Sequence, residues 1–324
     1  MKAIELMSRW RSILLLIVFT AIVAAAGVAS SDETSIMLPQ EDPLEIRGNI
    51  TVAGSVAMSP IVRRMYKRFV LEGYRGIMQF HGSGTALGFK RLCQNGQADI
   101  VMASRTIQAH EVASCEAKGL SPVGMNIGLD ALTLVVHKSN TFIEDVTEDE
   151  LPSLFSVNRW TDVNEDWLDW PIKRYIPAAG TGAFDFLIDL VFDGEAQSVI
   201  HAANTVFEKD HEYIAQGIAS DVYGVGLVGY AYYKKYESSL KLITIEDVEP
   251  SAEAVESAEY FLTLPLLVYT APAFLRKKQQ VRAFLVFLLN HINEEIVKVG
   301  YFRTSMPMLN GGKTTLLKAM GKTP

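Results

Sequence analysis

Hydroxyl, amide and guanidinium groups carry the chemistry that is legible in this chain. Three short apolar runs within residues 50–105 each end in small and hydroxylic residues. The first runs into Gly54-Ser55-Val56-Ala57-Met58-Ser59-Pro60, the second into His81-Gly82-Ser83-Gly84-Thr85, and the third into Ala103-Ser104-Arg105. Far downstream, Arg174-Tyr175-Ile176-Pro177 leads into Ala178-Ala179-Gly180-Thr181-Gly182-Ala183, and a helical pattern follows. A loop of this kind between a strand and a helix offers unpaired N–H groups and the positive end of a helix dipole. In an open α/β sheet, loops at the carboxyl ends of strands line the ligand crevice. Residues 50–105 therefore read as one wall of a cleft for a small oxyanion, and the downstream loop as the opposing wall.

Catalytic constellations are not indicated. His81, His110, His137, His201, His211 and His291 are scattered, and no serine sits in a nucleophile-elbow context. No carboxylates form a spaced acid/base pair. His81 adjoins the expected cleft and reads as an adaptable polar contact. Two cysteines without a histidine cluster make no zinc site, so neither metal nor cofactor is expected, and the chain does not read as an enzyme. The glycine-punctuated stretch Tyr223-Gly224-Val225-Gly226-Leu227-Val228-Gly229 lacks the lysine and the spaced third glycine of a nucleotide loop. It reads as a strand.

The elements that must position these loops follow from periodicity. Ser59-Pro60 forms an N-cap and N1 pair, and Ile61, Val62, Met65, Tyr66, Phe69 and Val70 then recur at helical spacing. Arg63, Arg64, Lys67 and Arg68 lie on the other face, which reads as solvated. Further helices are expected after Thr85 and from residue 111 to 118. Residues 131–136 form a continuous apolar strand, and His137-Lys138-Ser139-Asn140 breaks it, marking a crossing between lobes. Thr147 with Glu150 forms a capping box. Trp160, Trp167 and Trp170 read as core anchors, with a sugar platform as the alternative. Residues 264–269 read as a strand returning to the first lobe, and residues 281–299 as a long amphipathic C-terminal helix.

The chain has 324 residues, 49% hydrophobic and 21% charged, which suits a two-lobed globular protein. Lys2, Arg9 and Arg11 precede an apolar run and then Val23-Ala24-Ala25-Ala26-Gly27-Val28-Ala29. This order reads as a secretory signal peptide over residues 1–29, with a retained anchor disfavoured by the short apolar core. That segment holds three basic residues and one acid, so removing its net +2 takes the formal charge from −7 to −9. An acidic exported chain is a poor partner for nucleic acid. Residues 30–46 are acidic and proline-bearing and read as a flexible leader. In an exported chain, Cys93 and Cys115 read as a disulfide, worth roughly 3 kcal/mol in the chain-entropy model.

Together these motifs resemble the periplasmic phosphate-binding proteins of ABC transporters, a phosphate-specific type II binding-protein family. The resemblance runs from about residue 47 to 303 and rests on order and spacing. Its carriers include Gly54-Ser55 with Pro60-Ile61, Gly82-Ser83-Gly84-Thr85 with Gly88-Phe89-Lys90, and Asp99-Ile100 with Ala103-Ser104-Arg105. Asp130-Ala131-Leu132, Phe184-Asp185-Phe186 and Val299-Gly300-Tyr301 follow in order. The resemblance implies a two-lobed α/β fold: residues 47–136 with 262–324 as lobe I, residues 137–261 as lobe II, and a ligand cleft between them. It implies a monomeric periplasmic protein that captures inorganic phosphate and passes it to a permease. Carried over by position, Ser55, Ser83, Gly84, Thr85, Thr181 and Gly182 line the site, Arg105 supplies the cation, and Ser59 is a compensating hydroxyl.

Three departures bear on the ligand. Val56 and Ala57 stand where the family carries hydroxyls in the first loop, and Ala183 where it carries threonine. Each lost hydrogen bond to a charged ligand is worth about 1.5–3 kcal/mol. Another oxyanion, a small organic acid, or a sensory or interaction role with a degenerate site are therefore the alternatives. For Arg105 the alternative is a structural salt bridge.

Overall fold

The computed structural model describes residues 35–94 and 96–322. The signal-peptide reading of residues 1–29 lies outside the described residues.

Eleven strands form in chain order: β1 (Ile50–Gly54), β2 (Met78–Gly82), β3 (Ile100–Ala103), β4 (Val123–His137), β5 (Asp145–Val146), β6 (Lys173–Pro177), β7 (Thr205–Glu208), β8 (Gly224–Gly229), β9 (Leu240–Leu242), β10 (Thr244–Ile245) and β11 (Thr263–Thr270). Nine build one mixed sheet in the order β2-β1-β3-β11-β4-β8-β6-β7, with β9 on β4, while β5 and β10 pair separately. β1 lies between β2 and β3, parallel to both. β6 lies between β7 and β8, again parallel to both. In each half the chain leaves its central strand to one side and returns on the other. The carboxyl ends of β1 and β6 are thus topological switch points, where such sheets open a crevice.

β4 joins the halves. Its first part pairs with β11, from Val123↔Thr270 to Ala131↔Thr263, and its second part with β8, from Leu132↔Gly229 to Val136↔Val225. The two cores divide close by, with Leu129 already packed against the second. Met125 and Ile127 pack with Ile50, Val52, Phe69, Phe284 and Phe287, whereas Ala131, Leu132, Leu134 and Val136 pack with Trp160, Leu187 and Val225. β4 therefore changes core and partner strand within residues 127–132, ahead of His137-Lys138-Ser139-Asn140. The apolar run of residues 131–136 already belongs to the second core, and the polar break after it is only the strand's end.

Residues 35–46, expected as a flexible leader, are docked instead. Leu38 and Ile46 are buried. Asn290 accepts from the Leu38 N–H and donates to its carbonyl, both at 3.0 Å. Arg282 pairs with Glu41 at 2.8 Å, and the buried Lys313 donates to Ser35 Oγ and the Ile36 carbonyl. Acidic composition hid a segment whose backbone is satisfied by amide side chains 250 or more residues away.

The C-terminal region also differs. The Gln279–Glu295 helix is buried on most of its faces, because a further helix, Met306–Ala319, covers it. Ser305 caps the latter at the Met308 N–H. Trp160 is a fully buried anchor with Trp167 edge-on to it, while Trp170 is half exposed and packs on Tyr223.

Candidate functional site

The two switch points face one small cavity. From the first half come Ser55, Val56 and Ala57 after β1, Gly84 after β2, and Ser104 after β3. From the second half come Thr181, Gly182 and Ala183 after β6, and Lys209 and His211 after β7. Helices Thr85–Cys93, Gly182–Val191 and His211–Ala219 all begin at this cavity, so three positive dipole ends converge on it. The halves approach closely. A Cβ on Gly182 would lie 2.2 Å from Ser104 Oγ, and one on Gly84 would lie 2.3 Å from the Gly180 carbonyl.

Hydrogen bonding separates the donors that are free from those already committed. The Ser83 and Gly84 N–H groups both bond the Gly54 carbonyl, and the Ser55 N–H bonds that of Met102. Thr181 is a helix cap: its hydroxyl donates to the Ala178 carbonyl at 2.8 Å and accepts from the Phe184 N–H. Ser104 Oγ donates to Ser55 Oγ at 3.1 Å, which leaves the Ser55 proton available. The Gly182 and Ala183 N–H groups bond no described residue. Lys209 is exposed and makes no ion pair among the described residues.

Of the residues singled out in the sequence, Ser55, Gly84, Thr181 and Gly182 line the cavity. Thr85 is buried just behind it and accepts from the Ser104 N–H at 3.4 Å. Ser83 Oγ is buried with no hydrogen-bond partner among the described residues and does not line the cavity. Ser59 is not the N-cap but the first residue of the Ser59–Leu71 helix, beyond the cavity wall. His81 sits on β2, also outside the wall.

Arg105, the expected cation, is committed elsewhere. Glu111 takes its two terminal nitrogens, each at 2.9 Å, and Asp185 takes Nε at 2.8 Å. The Thr106 carbonyl accepts a further N–H at 3.0 Å. Burial works against the guanidinium charge, but the two carboxylates outweigh it and raise the pKa. Arg105 thus makes the salt bridges of the structural alternative, and the cation that lines the cavity is Lys209.

Lys209, His211 and Ser104 were not singled out by the sequence. Ser104 was visible within the Ala103-Ser104-Arg105 loop, but the arginine drew attention away from it. Lys209 and His211 follow a short strand whose four residues are all only partly buried, so no apolar run announced the loop. His211 is 4% exposed, its Nδ1 accepts from the Gly229 N–H at 2.8 Å, and its ring stacks on Tyr232. Burial pushes its pKa down to about 4, with Asp210 pulling the other way.

Cys93 and Cys115 are disulfide-bonded, tying the end of the Thr85–Cys93 helix to the Ala109–Glu116 helix that carries Glu111. Among the described residues no helix is long and apolar enough to cross a membrane, and no acidic, histidine or cysteine cluster could hold a metal ion.

A family model described as a PBP superfamily domain matches residues 39–291. Protein SphX of Synechocystis is 30% identical over 288 residues, which is 85% of this chain and 84% of that protein. Phosphate-binding protein PstS of Staphylococcus haemolyticus is 26% identical, covering 79% and 81%. A solved structure of a possible phosphate binding protein from Planctomyces limnophilus is 31% identical with a TM-score of 0.65, covering 85% of this chain and 99% of that one. The fold alone is shared with an ABC-type phosphate transport receptor from Vibrio cholerae, at 21% identity, a TM-score of 0.62, and coverage of 78% and 99%. Sheet order, paired switch points and sequence relatives agree: the chain belongs to the PBP superfamily, with the two-lobed type II fold of the PstS-like phosphate-binding proteins.

Proposed function

We propose that this chain is an extracytoplasmic solute-binding protein that holds inorganic phosphate between its lobes and delivers it, as a monomer, to an ABC permease. The observation carrying this reading is the convergence of both switch points on a cavity supplied with hydrogen-bond donors and with a lysine that makes no ion pair among the described residues. Helix ends, the Gly182 and Ala183 amides, the Ser55 hydroxyl and Lys209 make the cavity locally positive within a chain of formal charge −7. The relatives' names support the same ligand. Binding without chemistry is the proposed role, and the basic, apolar and small residues of positions 1–29 support export.

Val56, Ala57 and Ala183 favour a second reading. All three line the cavity and carry no hydrogen-bonding group on their side chains, which suits a small organic acid better than an ion that is polar on every side. Titrating the ligand-free chain calorimetrically with phosphate, sulfate and a short carboxylate such as acetate separates the two. Phosphate binding supports the first reading, whereas heat with the carboxylate and none with phosphate replaces it.

A further inference from the structure

We propose that His211 couples the bound anion to the strand crossing that joins the lobes: its Nε2–H donates to the oxyanion while Nδ1 holds the Gly229 amide. The inference rests on the oxyanion reading of the cavity.

The bonding fixes the tautomer. Nδ1 accepts a backbone N–H at 2.8 Å, so it carries no proton, and the proton of the neutral ring is on Nε2. The residue is 4% exposed and lines the cavity, yet no described residue bonds Nε2. Nε2 is not sealed off like the buried unpartnered atoms elsewhere in the chain, so its N–H at the wall of a donor-lined cavity is open to an acceptor, and an oxyanion supplies one. Burial keeps the ring neutral against the pull of Asp210. Tyr232 stacks on it, Lys209 and Asp210 precede it, and Asp210 is its helix N-cap, engaged by the Glu212 N–H.

Gly229 is where the consequence appears. It ends β8 and pairs with Leu132 of β4. A Cβ there would lie 2.9 Å from Asp130 Oδ2, so a side chain would have to push that carboxyl aside. Asp130 accepts in turn from the Ala131 and Tyr230 N–H groups. Anion, imidazole, Gly229 and Asp130 thus form a line from the cavity to the stretch of β4 that changes partner strands. Donation from Nε2 to an anion enriches the ring and makes Nδ1 a stronger acceptor, so occupancy tightens the amide bond next to the crossing.

The test uses the isotope-labelled chain with inorganic phosphate, and with sulfate in parallel, following the His211 ring nitrogens and the Gly229 amide exchange rate. Binding is expected to shift Nε2 and slow Gly229 exchange at least several-fold. Two variants divide the roles. His211→Asn keeps an acceptor near the Nδ1 position but withdraws the reach of Nε2, so affinity should fall roughly ten- to a hundredfold with the Gly229 amide still protected. His211→Gln keeps the reach and loses the Gly229 acceptor, so the anion should bind while the exchange response disappears. Calorimetric binding with no response at His211 or Gly229 overturns the coupling and leaves the anion reading intact. No heat with either ion overturns both.

Discussion

Arg105 Nε lies 2.8 Å from Asp185 Oδ2, and this ion pair joins the loop after β3 to the helix after β6 across the two lobes. The arginine that the sequence offers as an anion's partner ties the two walls of the cavity to each other. Glu111 holds the other edge of the same guanidinium, and the disulfide anchors the helix that carries Glu111.

Removing Arg105 should therefore unfold more than it unbinds. Arg105→Ala strands Glu111, which is buried, without its counter-charge. Loss of one partner of a buried pair typically costs about 3–5 kcal/mol. Asp185→Asn should cost less, because Glu111 still neutralises the guanidinium and Asp185 is more exposed. Urea unfolding of the two variants checks this, and equal destabilisation would mean that Glu111 contributes nothing of its own.

Closeness at Gly182 makes a second prediction. Gly182 opens a helix, so alanine there suits the backbone, but its Cβ would meet Ser104 Oγ at 2.2 Å and Thr85 Oγ1 at 2.9 Å. Gly182→Ala should leave each lobe folded and prevent this degree of closure. Overpacking of that kind costs about 1–3 kcal/mol, or roughly a five- to 150-fold loss of anion affinity. Small-angle scattering in saturating phosphate should report a more open particle than wild type.

Two buried groups should pull the pH dependence of stability in opposite directions. Burial raises the Asp130 pKa from 3.8 to about 7, against the pull of the Ala131 and Tyr230 amides. The folded state therefore holds a proton that the unfolded state releases, and stability from this group falls as pH rises from about 4 to 7. His211 is lowered from 6.5 to about 4, so its contribution is present above pH 6.5 and is lost as pH falls toward 4. The two slopes oppose each other over most of that window. Wild type should show a shallow profile, Asp130→Asn a stability that drops on acidification, and His211→Gln one that drops toward neutrality. Denaturant midpoints measured from pH 4 to 7.5 decide this, and parallel profiles for all three chains would contradict it.

Much of the fold was legible because strand-to-loop transitions carry their own punctuation. Gly54-Ser55 marks the end of a strand, Gly84-Thr85 and Thr181-Gly182 the starts of helices, and all three pairs are at or beside the cavity. The crossing was misplaced because β4 is apolar on both sides of Asp130, and periodicity cannot show which neighbour a strand pairs with. Residues 35–46 were missed because their partners are Asn290, Arg282 and Lys313, far away in sequence. Arg105 shows a related limit. Its residue type suits an oxyanion, but only three-dimensional packing reveals that Glu111 and Asp185 reach it first.

The most direct measurement is calorimetric titration of the wild-type chain and of Lys209→Ala with phosphate. Lys209 is exposed and outside both cores, so the variant should unfold at the wild-type temperature. Phosphate should bind wild type at micromolar concentration or tighter, and the variant roughly ten- to a hundredfold more weakly, as the loss of one charged hydrogen bond implies. No heat from wild type, or equal affinity in the two chains, would contradict an anion site built on Lys209 between the lobes.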